Sequence, residues 1–102
     1  MKDKIDISLE ENAIYGEVTD DEPTPTQRAQ LDALGWVKGE ADPITDNGVE
    51  VYGRLATEDE VKQAIEQLKA DRKKVPEYSY FGDPNWQMID AQIEILQWVL
   101  EK

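Results

Sequence analysis

Asp90 and Glu94 stand four residues apart in a chain of 102, a spacing that sets two carboxylates on one face of a helix. Such pairs do general acid–base work when one carboxyl is held away from water. Here both fall in the middle of the one polar stripe of an otherwise apolar helix, so solvent is their expected surrounding. A second candidate is a calcium loop built from Asp42, Asp46, Asn47, Gly48 and Glu50. An EF-type loop needs acid or amide ligands at positions 1, 3 and 5 ahead of the glycine at position 6. Counting back from Gly48, those positions hold Pro43, Thr45 and Asn47, so two of the three fail and the segment reads as a turn. The chain has no histidine and no cysteine. That excludes thiol nucleophiles, disulfides, Cys/His zinc sites and the usual base near neutral pH. Neither a Ser-His-Asp nor a Cys-His arrangement can be built. A non-enzymatic protein without metal or cofactor is the expectation.

The net charge is −12, and it is uneven: residues 1–60 hold 16 acids and 5 bases, residues 61–102 hold 7 acids and 6 bases. Phosphates are repelled by such a surface, so direct binding to nucleic acid or to an anionic membrane is not expected. A partner with a basic surface is the electrostatically favoured alternative. The acidic residues set aside for that contact are Asp20, Asp21, Glu22, Asp42 and Asp46. The N-terminus lacks the apolar run of a signal peptide, and the most apolar segment is broken by Asp90 and Glu94, which together point to a cytoplasmic protein without a membrane span.

The elements that must carry these residues are read from periodicity and capping, and a single domain over 1–102 is expected. Residues 4–10 alternate Ile5, Ile7 and Leu9 with polar neighbours, the pattern of a half-buried strand, and Ile14 to Val18 could return as its hairpin partner. Thr24, Pro25 and Gln27 form a capping box that starts a short helix reaching about Leu34, where Gly35 fits the position just past its end. Trp36 to Lys38 and the alternating Val49, Val51 and Leu55 read as extended pieces that could pair. Residues 58–74 give the clearest helix. Thr57 and Glu60 form its capping box, Glu58 to Glu60 lie at the positive end, Arg72 to Lys74 lie at the negative end, and Pro76 stops it. Its apolar residues Val61, Ala64, Ile65, Leu68 and Val75 share one face.

The last helix, 84–101, is introduced by Asp83 as cap and Pro84 in the first turn. Its polar residues Gln87, Asp90, Glu94, Gln97 and Glu101 share one stripe, and only Gln92 interrupts the apolar remainder, roughly two-thirds of the circumference against the roughly 100° of an ordinary surface helix. Five of the eight aromatics, Tyr78, Tyr80, Phe81, Trp86 and Trp98, lie in the last quarter of the chain. Either this helix is central and covered on both flanks, or part of it stays open for a partner or a second copy. The open alternative puts the apolar contact at Tyr80, Phe81, Trp86, Ile95, Trp98 and Val99.

Phe81, Gly82, Asp83, Asn85, Ile89, Asp90, Ala91, Gln92 and Ile93 form a segment F-G-D-x-N-x3-I-D-A-Q-I. In this segment the protein resembles small uncharacterised acidic proteins of phage and prophage type. The resemblance implies a mobile-element origin and no particular activity or site residue.

The sequence therefore predicts an α+β fold: small antiparallel strands and a short helix, followed by a C-terminal pair of helices. It predicts a protein-binding module, self-associating as a homodimer or docking on a partner with a basic or apolar surface. The alternative is a nucleic-acid mimic that inhibits a host nuclease or defence complex, which requires the acidic residues named above to share one face.

Overall fold

In a computed structural model, which describes residues 1–18, 22–45, 48–74 and 85–101, the chain forms four helices and, among the described residues, no strand. They are α1 (Lys4–Gly16), α2 (Pro25–Val37), α3 (Glu58–Lys74) and α4 (Asn85–Leu100). The α+β expectation is overturned at each of its strands.

The first expected hairpin is α1. Asp3 caps it, its carboxylate accepting from the Asp6 backbone N–H at 2.9 Å. Ile7 and Ile14, seven residues apart, fall on the same side of a helix and are its buried residues. Ile5 and Leu9, four apart, fall on the opposite side. The alternation Ile5-Ile7-Leu9 that reads as a strand is thus the trace of a helix with apolar residues on both its inner and its outer face.

α2 begins at the expected capping box, with both Thr24–Gln27 hydrogen bonds formed. It does not stop at Gly35. It runs on to Val37 and buries Ala33, Leu34, Trp36 and Val37. The glycine that ends it is Gly39, at φ +78°, one residue past the Lys38 cap. A Cβ at Gly39 would collide with the carbonyl oxygens of Val51 and Arg54.

The expected pairing of 36–38 with 49–55 is replaced by a non-repetitive clamp. The Trp36 indole donates to the Val49 carbonyl at 2.7 Å, the Ala56 N–H donates to the Val37 carbonyl at 2.7 Å, and the Gly53 N–H donates to the Gly39 carbonyl at 3.0 Å. Val51 and Ala56 are buried under this loop, whereas Val49 is exposed. The turns at Gly39 and Gly53, both at positive φ, keep the two segments from running as a ladder.

α3 has the expected bounds and the expected capping box, Thr57 and Glu60 each bonding the other's backbone N–H. It buries Val61, Ala64, Ile65 and Leu68. Val75, Pro76, Asp83 and Pro84 lie outside the described residues.

α4 is the centre of the fold. It packs against both α2 and α3, while α1 packs against α2. One core unites Ile7 and Ile14 of α1, Leu34, Trp36 and Val37 of α2, the buried face of α3, and Ile95, Leu96 and Val99 of α4. The C-terminal pair of helices is therefore present, but its second member is sandwiched by neighbours on two flanks. Among the described residues no helix is long and apolar enough to cross a membrane.

Candidate docking surface

Among the described residues, much of the apolar surface on α4 is turned into the molecule. Ala91, Ile95, Leu96 and Val99 are buried, and Ile89, Ile93, Trp98 and Leu100 are partly buried against the core. Even the interrupting Gln92 is placed, its amide donating to the Ala29 carbonyl of α2 at 3.2 Å. Asp90 pairs with Arg72 of α3 at 2.9 Å, and Glu94 is exposed, so the two carboxylates of the helix have different surroundings. The expectation that Ile95 and Val99 meet a partner is corrected: both face the protein's own core. Trp98 is half-buried, and Trp86 lies in the first turn of α4. Tyr80 and Phe81 lie outside the described residues. So do Asp20, Asp21 and Asp46 of the acidic set. Of the other two, Glu22 is exposed, and Asp42 is exposed and accepts from the Tyr52 hydroxyl.

Among the described residues, the most exposed large apolar side chains lie on α1. Ile5 is 71% exposed and Leu9 61%, the two most exposed large apolar side chains among the described residues. Asn12, Ala13 and Gly16 continue the same outer face and are exposed as well. Its inner face is fixed by Ile7 and Ile14 and by a polar anchor. Lys38, at the end of α2, has only a tenth of its side chain exposed and pairs with Glu11 of α1 and with Glu40. Its burial opposes its charge, and the hydrogen bonds it donates to the two carboxylates outweigh this, so the ammonium is held above its ordinary range. The N-terminal end is tied to α4: the Lys2 N–H donates to the Val99 carbonyl at 2.7 Å, and the Lys2 ammonium lies 5.1 Å from the centroid of the Trp98 ring. These contacts leave the outer face of α1 turned toward solvent.

Beside that face runs an open groove of about 440 Å³ lined by Lys2, Asp6, Leu9, Glu10 and Trp98. Leu9 and Trp98 supply its apolar walls. Lys2 is held over Trp98 within the chain, whereas neither Asp6 nor Glu10 takes part in an ion pair among the described residues. The sequence pattern placed Ile5 and Leu9 on the buried side of a strand and so missed this face. The signal that finds it is Asp3 as a helix cap, together with the seven-residue spacing of Ile7 and Ile14.

A second concavity, of about 390 Å³, is lined by Asp32, Glu40, Asp42, Ile44 and Tyr52 among others. Its carboxylates have unlike surroundings. Glu40 is exposed and held below the ordinary carboxylate range by its hydrogen bond from Lys38. Asp42 is engaged by Tyr52. Asp32 is exposed as a whole residue, and partial desolvation of its carboxyl pushes it up against the opposing charge of Arg28. Among the described residues no group of three or more acids is arranged to hold a metal ion. No family model, curated protein or solved structure matches the chain.

Proposed function

We propose that the protein is a non-enzymatic docking module of the cytoplasm that binds another protein through the outer face of α1. The observation that carries this reading is the pairing of Ile5 and Leu9, largely exposed on a helix whose other side is anchored by Ile7, Ile14 and the Lys38–Glu11 ion pair. Covering a large apolar side chain contributes about 1.5–3 kcal/mol, so leaving two such residues adjacent and open favours association. The excess of carboxylates supplies attraction toward a basic surface and speeds encounter.

Site-specific photo-crosslinking in the native host tests the reading. A benzophenone side chain in place of Ile5 should yield covalent protein adducts, and the same group in place of the exposed Glu94 of α4 should not. Adducts from position 94 alone would refute it.

A further inference from the structure

Resting on that reading, we infer that the occupant of the α1 face is a cationic amphipathic helix of a partner protein, its apolar stripe on Ile5 and Leu9 and its basic residues over Asp6 and Glu10. Three features specify this chemistry. The first is shape: α1 presents an exposed outer face along its 13 residues, about 20 Å long. Ile5 and Leu9 sit one turn apart along it, followed by Ala13 and Gly16, and no other atom lies within 4 Å of where a Cβ at Gly16 would stand. Small residues there let a second helix approach closely, and a groove beside a helical ridge takes the ridge of another helix. The second is local charge. Asp6 and Glu10 are four residues apart on the groove side of α1, next to Leu9 and Trp98, and form no ion pair among the described residues. Lysines or arginines three or four residues apart on a partner helix match that spacing. The third is the whole molecule. At −12 it attracts a basic partner, and two copies of the chain repel each other.

The test uses the full chain and a synthetic leucine/lysine amphipathic helix of about 14 residues, long enough to cover α1. Binding is measured by calorimetry and the oligomeric state by sedimentation. The wild-type protein should be monomeric and bind the peptide. Leu9→Asp should weaken binding about tenfold or more even though it adds a negative charge, because the apolar contact is lost. Leu9→Ala should weaken it less, and Asp6→Asn/Glu10→Gln several-fold, while Asp59→Asn on α3 should leave it unchanged. Unchanged circular dichroism and melting temperature show that the variants fold. Equal or tighter binding by Leu9→Asp would show attraction to bulk acidity only and overturn the inference. A wild-type dimer that Leu9→Asp dissociates, without peptide binding, would make a second copy the occupant and overturn the inference while leaving α1 as the docking face. A monomer that ignores the peptide also overturns it, and crosslinking from position 5 then decides the wider reading separately.

Discussion

Glu60 closes the capping box of α3 and also accepts both nitrogens of Arg54, at 2.6 and 2.7 Å. The Arg54 hydrogen bonds are the main reason its carboxyl is lowered to about 2, with the Thr57 bonds adding to them against some desolvation. A carboxyl lowered in the folded state stabilises above its unfolded value and loses that contribution as pH falls through the folded one. The acid limb of stability between about pH 4.3 and about 2 should therefore carry a Glu60 component that Glu60→Gln removes. Arg54 is half-exposed, so solvent screens the pair, and the variant should cost about 1 kcal/mol near neutral pH in urea unfolding. Identical acid limbs for the two proteins would contradict this role. Two glycines separate backbone conformation from crowding. Gly53→Ala, at φ +79° in open space, should cost about 1 kcal/mol, the left-handed penalty alone. Gly39→Ala meets the same penalty and adds the collision with Val51 and Arg54, so it should cost distinctly more. Equal losses would mean that the loop clamp over Trp36 is not close-packed.

At the scale of elements, what the sequence disclosed depends on how many neighbours each helix has. α3 was legible throughout because its caps, its charged ends and a one-sided apolar stripe all agree. The start of α2 was legible from its capping box. Its end was not, because Gly35 tolerates the interior of a helix packed against Ala41, and the left-handed position falls at Gly39. α1 was misread because a helix with apolar residues on both faces has no amphipathic signature, and its alternation imitates a strand. The breadth of apolar surface on α4 was plain in the sequence, but a helical wheel does not show that α2 and α3 cover separate flanks of it. Ile95 and Val99, expected at a partner contact, are therefore found in the core. The inside–outside arrangement predicts a contrast in stability. Leu96→Ala, a fully buried deletion, should cost about 2–5 kcal/mol, whereas Leu9→Ala should stay within about 0.5 kcal/mol. A Leu9→Ala loss as large as that of Leu96→Ala would place the outer face of α1 in the core.

The whole molecule carries −12, with the excess in residues 1–60, the portion that includes α1 and α2. Self-repulsion of that size destabilises a compact state, and salt screens it over about 10 Å at 0.1 M. Lys62–Glu58 and Lys69–Glu66 are surface pairs of small value, and the less exposed pairs such as Lys38–Glu11 are screened less, so the net effect of salt should be a higher melting temperature between about 0.01 and 0.15 M. A melting temperature that falls over this range would show the pairs outweighing the repulsion. The same charge, combined with the exposed apolar residues of α1, is what the proposed docking of a basic partner rests on. The most direct test is a residue-resolved NMR titration of the full chain with the leucine/lysine helix. The account predicts that shift changes concentrate on the amides of Lys2 to Gly16 and on the Trp98 indole that lines the groove beside them. Changes centred on Gln87, Glu94 and Gln97, the exposed stripe of α4, with α1 undisturbed, would contradict it.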